Sequence, residues 1–147
     1  MPYPASVAIG ADHAGYRLKE AVKAFLAERG VAVVDHGTQS ADSVDYPDFV
    51  HPVARAVAAG EQPFGVVVCG SGQGASMTAN KHAGIRCALC WRPDIARLAR
   101  EHNDANILSL AERFTAESDA LAIVEAFFAA EFEGGRHARR VGKIPCA

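Results

Sequence analysis

Short apolar runs and longer amphipathic stretches alternate along the chain. The apolar runs, rich in valine, isoleucine and leucine, predict β-strands at 7–10, 31–34, 65–68, 87–89 and 107–110. Between them hydrophobic residues recur with a helical period, as Leu18, Val22 and Leu26 do after the first run. Gly30 and Gly60 stand where two of these helices should end. Strands that alternate with helices predict a mostly parallel sheet covered on both faces.

Five predicted strands suit one α/β domain over residues 1–147. We expect a flavodoxin-like or Rossmann-like three-layer sandwich with a five-stranded parallel sheet and a C-terminal helical extension after residue 135. The expected strand order is 2-1-3-4-5, in which the direction of winding reverses between strands one and three. Ligands bind at the carboxyl ends of the strands at such a reversal. Function is therefore expected in the segments 10–15 and 69–74.

Composition and charge exclude several classes of protein. Half of the 147 residues are hydrophobic and 22% are charged, as in an ordinary globular protein. The formal net charge of -2 gives no overall basic field that would attract nucleic acid or an anionic membrane. No run approaches the roughly 20 apolar residues of a membrane-spanning helix. Residues 1–8 lack the charged start and long apolar run of a signal peptide. We therefore expect a cytoplasmic protein that binds neither nucleic acid nor membrane.

The four cysteines do not form an obvious redox or metal motif. Cys87 and Cys90 have the C-x-x-C spacing, but they lie in an apolar run that predicts a strand. Residues three apart on a strand point to opposite faces of the sheet. We therefore interpret both cysteines as small buried hydrophobic residues. The remaining two cysteines are Cys69 and Cys146.

The sequence Cys69-Gly-Ser-Gly-Gln-Gly follows the third predicted strand. Its glycines allow a sharp turn that exposes backbone N–H groups at the start of a helix, an arrangement that binds anions. The loop could hold a phosphate, stabilise an oxyanion or simply form a tight turn. It is not a P-loop, because no Lys-Ser/Thr pair follows. A thiol in the position of Cys69 has its thiolate favoured by the same donors, although a buried inert cysteine is the other interpretation.

Three further segments carry polar chemistry. Asp12 and His13 end the first strand, where Asp12 could act as an acid or base or could cap the next helix. His102 could exchange protons near neutral pH, but it lies in a segment that also favours a surface turn. In the tail, Arg136 and Arg140 would share one helical face and suit a phosphate. A solvated basic end remains the alternative for this tail.

Together these segments resemble ribose-5-phosphate isomerase B and its relatives, the galactose-6-phosphate isomerase subunits and the allose-6-phosphate isomerases. Each motif is short, but their joint occurrence in this order over almost the whole chain is specific. The matching segments are GADHAG (10–15), DYP (45–47), CGSGQG (69–74), ANK (79–81), AGIR (83–86), HNDAN (102–106) and EGGRH (133–137).

The resemblance implies a catalytic set. Cys69 matches the cysteine that abstracts the proton in this family. Another branch of the family uses a glutamate six positions later, where this chain has Ala75. Ser71 matches a hydroxyl group near the reacting oxygens, and Asp12 and His102 match the residues that open the sugar ring.

The resemblance also implies a substrate-binding set. The implied phosphate ligands are His13, Arg113, Arg136 and Arg140; the implied site-lining residue is Tyr46; and the implied enediolate donors are Gly70, Gly72, Gly74 and Asn103. The family forms dimers, often paired into tetramers, that share their sites between subunits and use no metal. We therefore expect a homodimer or a tetramer that binds a small sugar phosphate without a cofactor.

The expected reaction is the interconversion of ribose 5-phosphate and ribulose 5-phosphate through an enediolate, with Cys69 as base. A hexose 6-phosphate of allose or galactose is the alternative substrate. A non-catalytic sugar-phosphate-binding domain is the alternative from another class, because fold alone does not decide function. A phosphorylated receiver domain would need an aspartate where the third strand ends in Cys69. An inactive isomerase subunit would be expected to lose that cysteine.

Overall fold

Five strands and six helices alternate in the computed structural model, which describes residues 3–146. The strands are β1 (Ser6–Ala11), β2 (Ala32–Asp35), β3 (Phe64–Cys69), β4 (Cys87–Leu89) and β5 (Ile107–Ala111). The helices are α1 (Tyr16–Ala27), α2 (Tyr46–Ala58), α3 (Gln73–Ala79), α4 (Pro93–Asn103), α5 (Glu117–Ala129) and α6 (Arg136–Val141). A 3-10 turn, Glu112–Phe114, follows β5. The predicted five strands and the short helix in the tail are confirmed.

The strands form one parallel sheet in the order β2-β1-β3-β5-β4. The expected order of the last two strands was wrong, since β5 lies between β3 and β4. The burial of the two strands explains why β4 and β5 exchange places. All five residues of β5 are buried, as a central strand requires, whereas the three residues of β4 are only half-buried and suit an edge. The expected reversal between β1 and β3 is confirmed, because these two strands are direct neighbours.

Helices cover the sheet on both faces and bury a hydrophobic cluster on each. Helices α1, α4 and α5 cover one face, and α2 and α3 cover the other. The expected three-layer sandwich is thereby confirmed. Cys90 packs in the first cluster and Cys87 against the second, so the two thiols lie on opposite faces as predicted. Burial raises the pKa of each thiol to about 12, which makes both poor nucleophiles.

The first loop approaches the sheet closely enough to require a glycine. A Cβ atom at Gly15 would lie 2.6 Å from the carbonyl oxygen of Val68 in β3. The start of α1 therefore lies directly against the end of β3, and the segment after β1 comes beside Cys69. Within residues 3–146, no helix has both the length and the apolar character that crossing a membrane requires.

Candidate active site

A cavity of about 480 Å³ opens at the carboxyl ends of β1 and β3. This is the place in a parallel sheet where winding reverses and ligands bind. Two other depressions, of about 420 and 370 Å³, lie near the edge strand β4 and are lined mainly by residues 80–88 and 141–146. Three of the four residues predicted for catalysis, Asp12, Cys69 and Ser71, line the first cavity, whereas His102 does not. The first cavity is lined by Asp12, His13, Ala14, Tyr46, Cys69, Gly70, Ser71, Gly74, Arg113 and Phe114.

Residues of the sheet fix the loop that follows β3. Cys69 is the last residue of β3 and is only 4% exposed, yet it lines the cavity. Gly72 has φ of 73°, in the left-handed region that favours glycine. A Cβ atom on Gly72 would lie 2.5 Å from Cδ1 of Leu89. The buried hydroxyl of Ser109 donates a hydrogen bond of 2.7 Å to the Gly72 carbonyl oxygen. Gly72 thus packs against the sheet side of the loop, while Gly70, Ser71 and Gly74 line the cavity.

Arg113 brings a permanent positive charge to this loop. The residue lies in the 3-10 turn after β5, and its backbone N–H donates to the carbonyl oxygen of Gly70 over 3.0 Å. A Cβ atom on Gly70 would lie 3.3 Å from both Cζ and Nε of Arg113, so the guanidinium group packs against the loop backbone. Such a group offers five N–H donors in a fixed geometry. It can hold an anion that enters the cavity.

Asp12 does not cap α1, whose N-cap is Gly15 without a side-chain cap bond, but it closes the turn before the helix and lines the cavity. The backbone N–H of Gly15 donates to Oδ1 of Asp12 over 3.0 Å, which closes the turn before α1. Asp12 is only 7% exposed. Its neighbour His13 accepts a hydrogen bond at Nδ1 from the Val44 backbone N–H over 3.1 Å. The neutral imidazole therefore carries its proton on Nε2, which makes Nε2 a donor for a ligand.

Tyr46, the first residue of α2, packs against the other end of the loop. A Cβ atom on Gly74 would lie 2.5 Å from Cζ and 2.8 Å from the hydroxyl oxygen of Tyr46. A side chain at position 74 would require the Tyr46 ring to move. The Tyr46 side chain, 38% exposed, forms part of the cavity wall, as expected.

A buried ion pair beside the cavity was not predicted from the sequence. Lys19 is fully buried on α1, and its Nζ lies 2.6 Å from Oδ2 of Asp35 at the end of β2. Asp35 also accepts a hydrogen bond from the Gly37 N–H, and the Gly37 carbonyl oxygen accepts from Ala11 N–H, next to Asp12. Burial raises the pKa of Asp35, but hydrogen bonds from two lysines outweigh this and bring it to about 2. The only signal in the sequence was a lysine beside the apolar stripe of α1.

Four of the predicted site residues lie elsewhere in the chain. His102, Asn103, Arg136 and Arg140 belong to the end of α4 and to α6. Helix α4 precedes β5, so its end lies at the amino edge of the sheet, whereas Cys69 lies at the carboxyl edge. The five residues of β5 separate these edges by about 13 Å. A single chain therefore does not bring the four residues to the cavity.

At the end of α4, His102 contacts two residues for which the sequence predicted no role, His137 and Glu133. The imidazole rings of His102 and His137 stack with their centroids 4.1 Å apart and their planes at 9°. Glu133 lies within 4 Å of both rings. In the sequence, only the position of Glu133 and His137 in the EGGRH motif marked them. Phe114 was also missed; it is 79% exposed and lines the cavity beside Arg113.

The fold and the cavity place the chain among α/β proteins with a ligand-binding cleft at the reversal point of a parallel sheet. Residues 7–144 match the model of a family described as Ribose/Galactose Isomerase. Ribose-5-phosphate isomerase B of Escherichia coli (strain K12) is 47% identical over 138 residues, which are 94% of this chain and 93% of the relative. The chain therefore belongs to the ribose/galactose isomerase family. The enzyme class that the motifs predicted, an aldose–ketose isomerase, is confirmed.

Solved structures agree with this assignment. The Clostridium thermocellum ribose-5-phosphate isomerase B superposes with a TM-score of 0.94 at 54% identity, over 95% of this chain and 94% of that one. The Mycoplasma genitalium ribose-5-phosphate isomerase B, solved with bound ribulose-5-phosphate, gives a TM-score of 0.91 at 40% identity. The superposition covers 95% of this chain and 93% of that chain.

Proposed function

We propose that this protein interconverts ribose 5-phosphate and ribulose 5-phosphate through an enediolate, with Cys69 as the base. The observation that carries the proposal is the position of Cys69. Cys69 lines the cavity at the β1–β3 reversal and precedes the glycine loop, against which the guanidinium group of Arg113 packs at Gly70. The relative from Mycoplasma genitalium, which holds ribulose-5-phosphate, supports a pentose phosphate as the ligand.

The proton transfer begins at C2 of the open-chain aldose. The Cys69 thiolate takes the C2 proton, the C–H electrons form the C1–C2 double bond, and negative charge develops on the C1 oxygen. The thiol then returns a proton to C1, and the proton of the C2 hydroxyl passes to the C1 oxygen, which leaves a ketone at C2. Ser71 also lines the cavity and is the hydroxyl we assign to the transfer between the two oxygens.

The loop after Cys69 is suited to the charge that develops on these oxygens. Backbone N–H groups around Gly70, Gly72 and Gly74 are the proposed donors. The bond from Ser109 fixes the loop before the substrate arrives, so the donors need not reorganise during the reaction. One such donor is worth about 3 kcal/mol of transition-state stabilisation. The loop then contributes to catalysis on the same scale as the base.

Ring opening and phosphate binding require residues from both edges of the sheet. Asp12 is the proposed base for the anomeric hydroxyl, and His102 the donor for the ring oxygen. His13 Nε2 and Arg113 are available as phosphate ligands in the cavity. The other proposed ligands are Asn103 for the enediolate and Arg136 and Arg140 for the phosphate.

In a homodimer, the groups that one chain keeps apart can meet in a site shared by two chains. We assign His102, Asn103, Arg136 and Arg140 to the cavity of a second copy of the chain. Arg136 and Arg140 are exposed on α6, one helical turn apart, and can reach a partner. The tetramer, the cytoplasmic location and the absence of a cofactor stay predictions.

The choice between a pentose and a hexose depends on the distance between the phosphate and the reacting carbons. One additional carbon changes this span by about 1.5 Å at most, and a misplacement of about 1 Å can cost about 100-fold in rate. A cavity fitted to ribose 5-phosphate can therefore reject allose 6-phosphate and galactose 6-phosphate. The family description includes galactose isomerases, so these hexose phosphates are the alternative substrates.

The test is a comparison of kcat/KM for ribose 5-phosphate, allose 6-phosphate and galactose 6-phosphate. We expect the pentose phosphate to have the highest value. A higher kcat/KM for either hexose phosphate would overturn the substrate assignment, but it would leave the assignment as an isomerase standing. A Cys69→Ala preparation purified in parallel controls for isomerases of the expression host. Binding of ribose 5-phosphate without turnover by the unmodified protein would favour the non-catalytic alternative.

A further inference from the structure

Two histidines and a glutamate meet at the amino edge of the sheet, away from the cavity of the same chain. The Nε2 atom of His102 lies 3.7 Å from Oε1 of Glu133, and the Nε2 atom of His137 lies 3.5 Å from the same oxygen. One ligand atom from each residue lies within 4.8 Å of the other two. Two imidazole nitrogens and a carboxylate oxygen are a ligand set typical of zinc.

Backbone hydrogen bonds hold the three residues together. His102 is in the last turn of α4, and the N–H of Glu133 donates to the carbonyl oxygen of Glu101 over 3.0 Å. His137 is in the first turn of α6, and its N–H donates to the carbonyl oxygen of Gly134 over 3.1 Å. These backbone bonds place the three residues side by side within one chain.

His137 provides an independent sign that this cluster takes a ligand. Its side chain is 9% exposed, and its Nε2 atom is buried without a hydrogen-bond partner among residues 3–146. Buried polar atoms in proteins are normally paired. This one points into the group formed with Glu133 and His102.

The separations are close to those of a tetrahedral site. Zinc bonds of about 2.0–2.1 Å place neighbouring tetrahedral ligands about 3.4 Å apart. The two nitrogen-to-oxygen distances of 3.5 and 3.7 Å are near this value. The parallel stacking of the rings does not suit a common ion, because the two lone pairs do not converge. One ring must turn, and His102, with 37% of its side chain exposed, is free to do so.

We propose that His102 Nε2, Glu133 and His137 Nε2 form a binding site for a zinc-type divalent cation, and that cation binding inhibits the isomerase. A cation bound at Nε2 would fix the imidazole of His102, which is the proposed donor for ring opening. The cation site stands on geometry alone, whereas the inhibition rests on the proposed function of His102. Imidazole ligands favour zinc and its neighbours over magnesium and calcium. We expect isomerisation itself to need no cation.

Calorimetric titration of the metal-free protein with zinc chloride tests the site. We expect one zinc ion per chain and a loss of affinity in both Glu133→Gln and His137→Gln. The loss should exceed the roughly 10- to 100-fold that removal of an outer-shell partner costs. Glu133 is exposed, so its variant keeps the test valid if the variant of the buried His137 does not fold. The matched control is His51→Gln, which removes a histidine from the other pair, His51 and His82, 2.7 Å apart.

The isomerase assay tests the inhibition. Zinc should inhibit the unmodified protein with the dissociation constant measured by calorimetry, and Glu133→Gln should be active and resistant. Unchanged zinc affinity in both variants would overturn the site, as would a thiolate-to-metal charge-transfer band when Co²⁺ replaces zinc. Binding without inhibition would overturn only the second half of the proposal. A metal-free protein without isomerase activity would count against the proposed function, and calorimetry would still decide the site.

Discussion

Ser109 in the middle of β5 donates a buried hydrogen bond of 2.7 Å to the carbonyl oxygen of Gly72. The bond joins the central strand β5 to the loop that carries the proposed enediolate donors. It spans 37 positions of the sequence and depends on β5 lying directly beside β3. The unexpected strand order is thus what allows Ser109 to fix the loop.

Replacing Ser109 by alanine should lower kcat with little change in KM. The loop donors act mainly on the charge of the transition state, so their displacement affects kcat more than ground-state binding. A shift of about 1 Å can cost about 100-fold in rate, and the unpaired Gly72 carbonyl should cost about 1–3 kcal/mol of stability. Steady-state kinetics and urea unfolding measure the two effects. Ser118→Ala, at an exposed serine on α5, is the control, and equal kinetics of both variants would refute a role for the bond.

The ion pair of Asp35 should make stability depend on acid pH. Burial raises the pKa of Asp35, but the hydrogen bonds from Lys19 and Lys23 lower it further, and the pKa falls to about 2. Because the folded-state value lies below the ordinary value of about 3.9, the stabilisation is complete above about pH 5 and is lost as the pH falls through 2. The linked free energy is about 2–3 kcal/mol.

Urea unfolding between pH 2 and pH 7 measures this contribution. Asp35→Asn should be less stable at neutral pH, because it leaves the buried Lys19 without its main partner. It should also lose less stability than the unmodified protein as the solution is acidified. The exposed Asp42→Asn is the matched control. If acidification destabilised Asp35→Asn and the unmodified protein equally, the linkage between the Asp35 pKa and stability would be ruled out.

Hybrid dimers test whether the site is shared. Cys69→Ala and His102→Gln should each be inactive alone, because every site lacks one group. Unfolding and refolding the two variants together should restore about a quarter of the unmodified activity, since half of the dimers are hybrids and each hybrid has one intact site. No recovery, in a mixture shown by mass spectrometry to contain hybrids, would mean that both residues serve the same chain's site.

Chelation should leave isomerisation unchanged. The proposed chemistry uses a thiol, backbone N–H groups and arginine side chains, so no step requires a metal ion. Overnight dialysis against EDTA followed by assay should give full activity, or a gain if zinc had been bound. Activity that is lost and then restored by a divalent cation would contradict this expectation.

The elements and half of the site could be predicted because their signals are local. The apolar run 65–68 and the glycines after Cys69 define a strand and its loop, and the reversal rule places Asp12 beside them. Strand order could not be predicted in full, because β4 has only three residues and its partner is chosen by contacts far along the chain. The pairing of Lys19 with Asp35 likewise depends on where β2 packs.

The position of His102 shows the other limit of sequence reasoning. The HNDAN motif marked the residue, but it could not indicate which edge of the sheet the residue occupies. Helix direction decides this, since α4 must return to the amino edge before β5 can run parallel to its neighbours. Only with that geometry does the distance from Cys69 require a second chain.

The role of Cys69 is tested most directly by isotope exchange in deuterated water. With the unmodified protein, we expect solvent deuterium at C2 of recovered ribose 5-phosphate and at C1 of ribulose 5-phosphate. In Cys69→Ala, turnover should fall by roughly 10²- to 10⁴-fold and exchange should fall with it, while the affinity for substrate remains. Cys146→Ala, which removes an exposed thiol, should behave like the unmodified protein. Exchange at the unmodified rate in Cys69→Ala would contradict the account and assign the proton transfer to another residue.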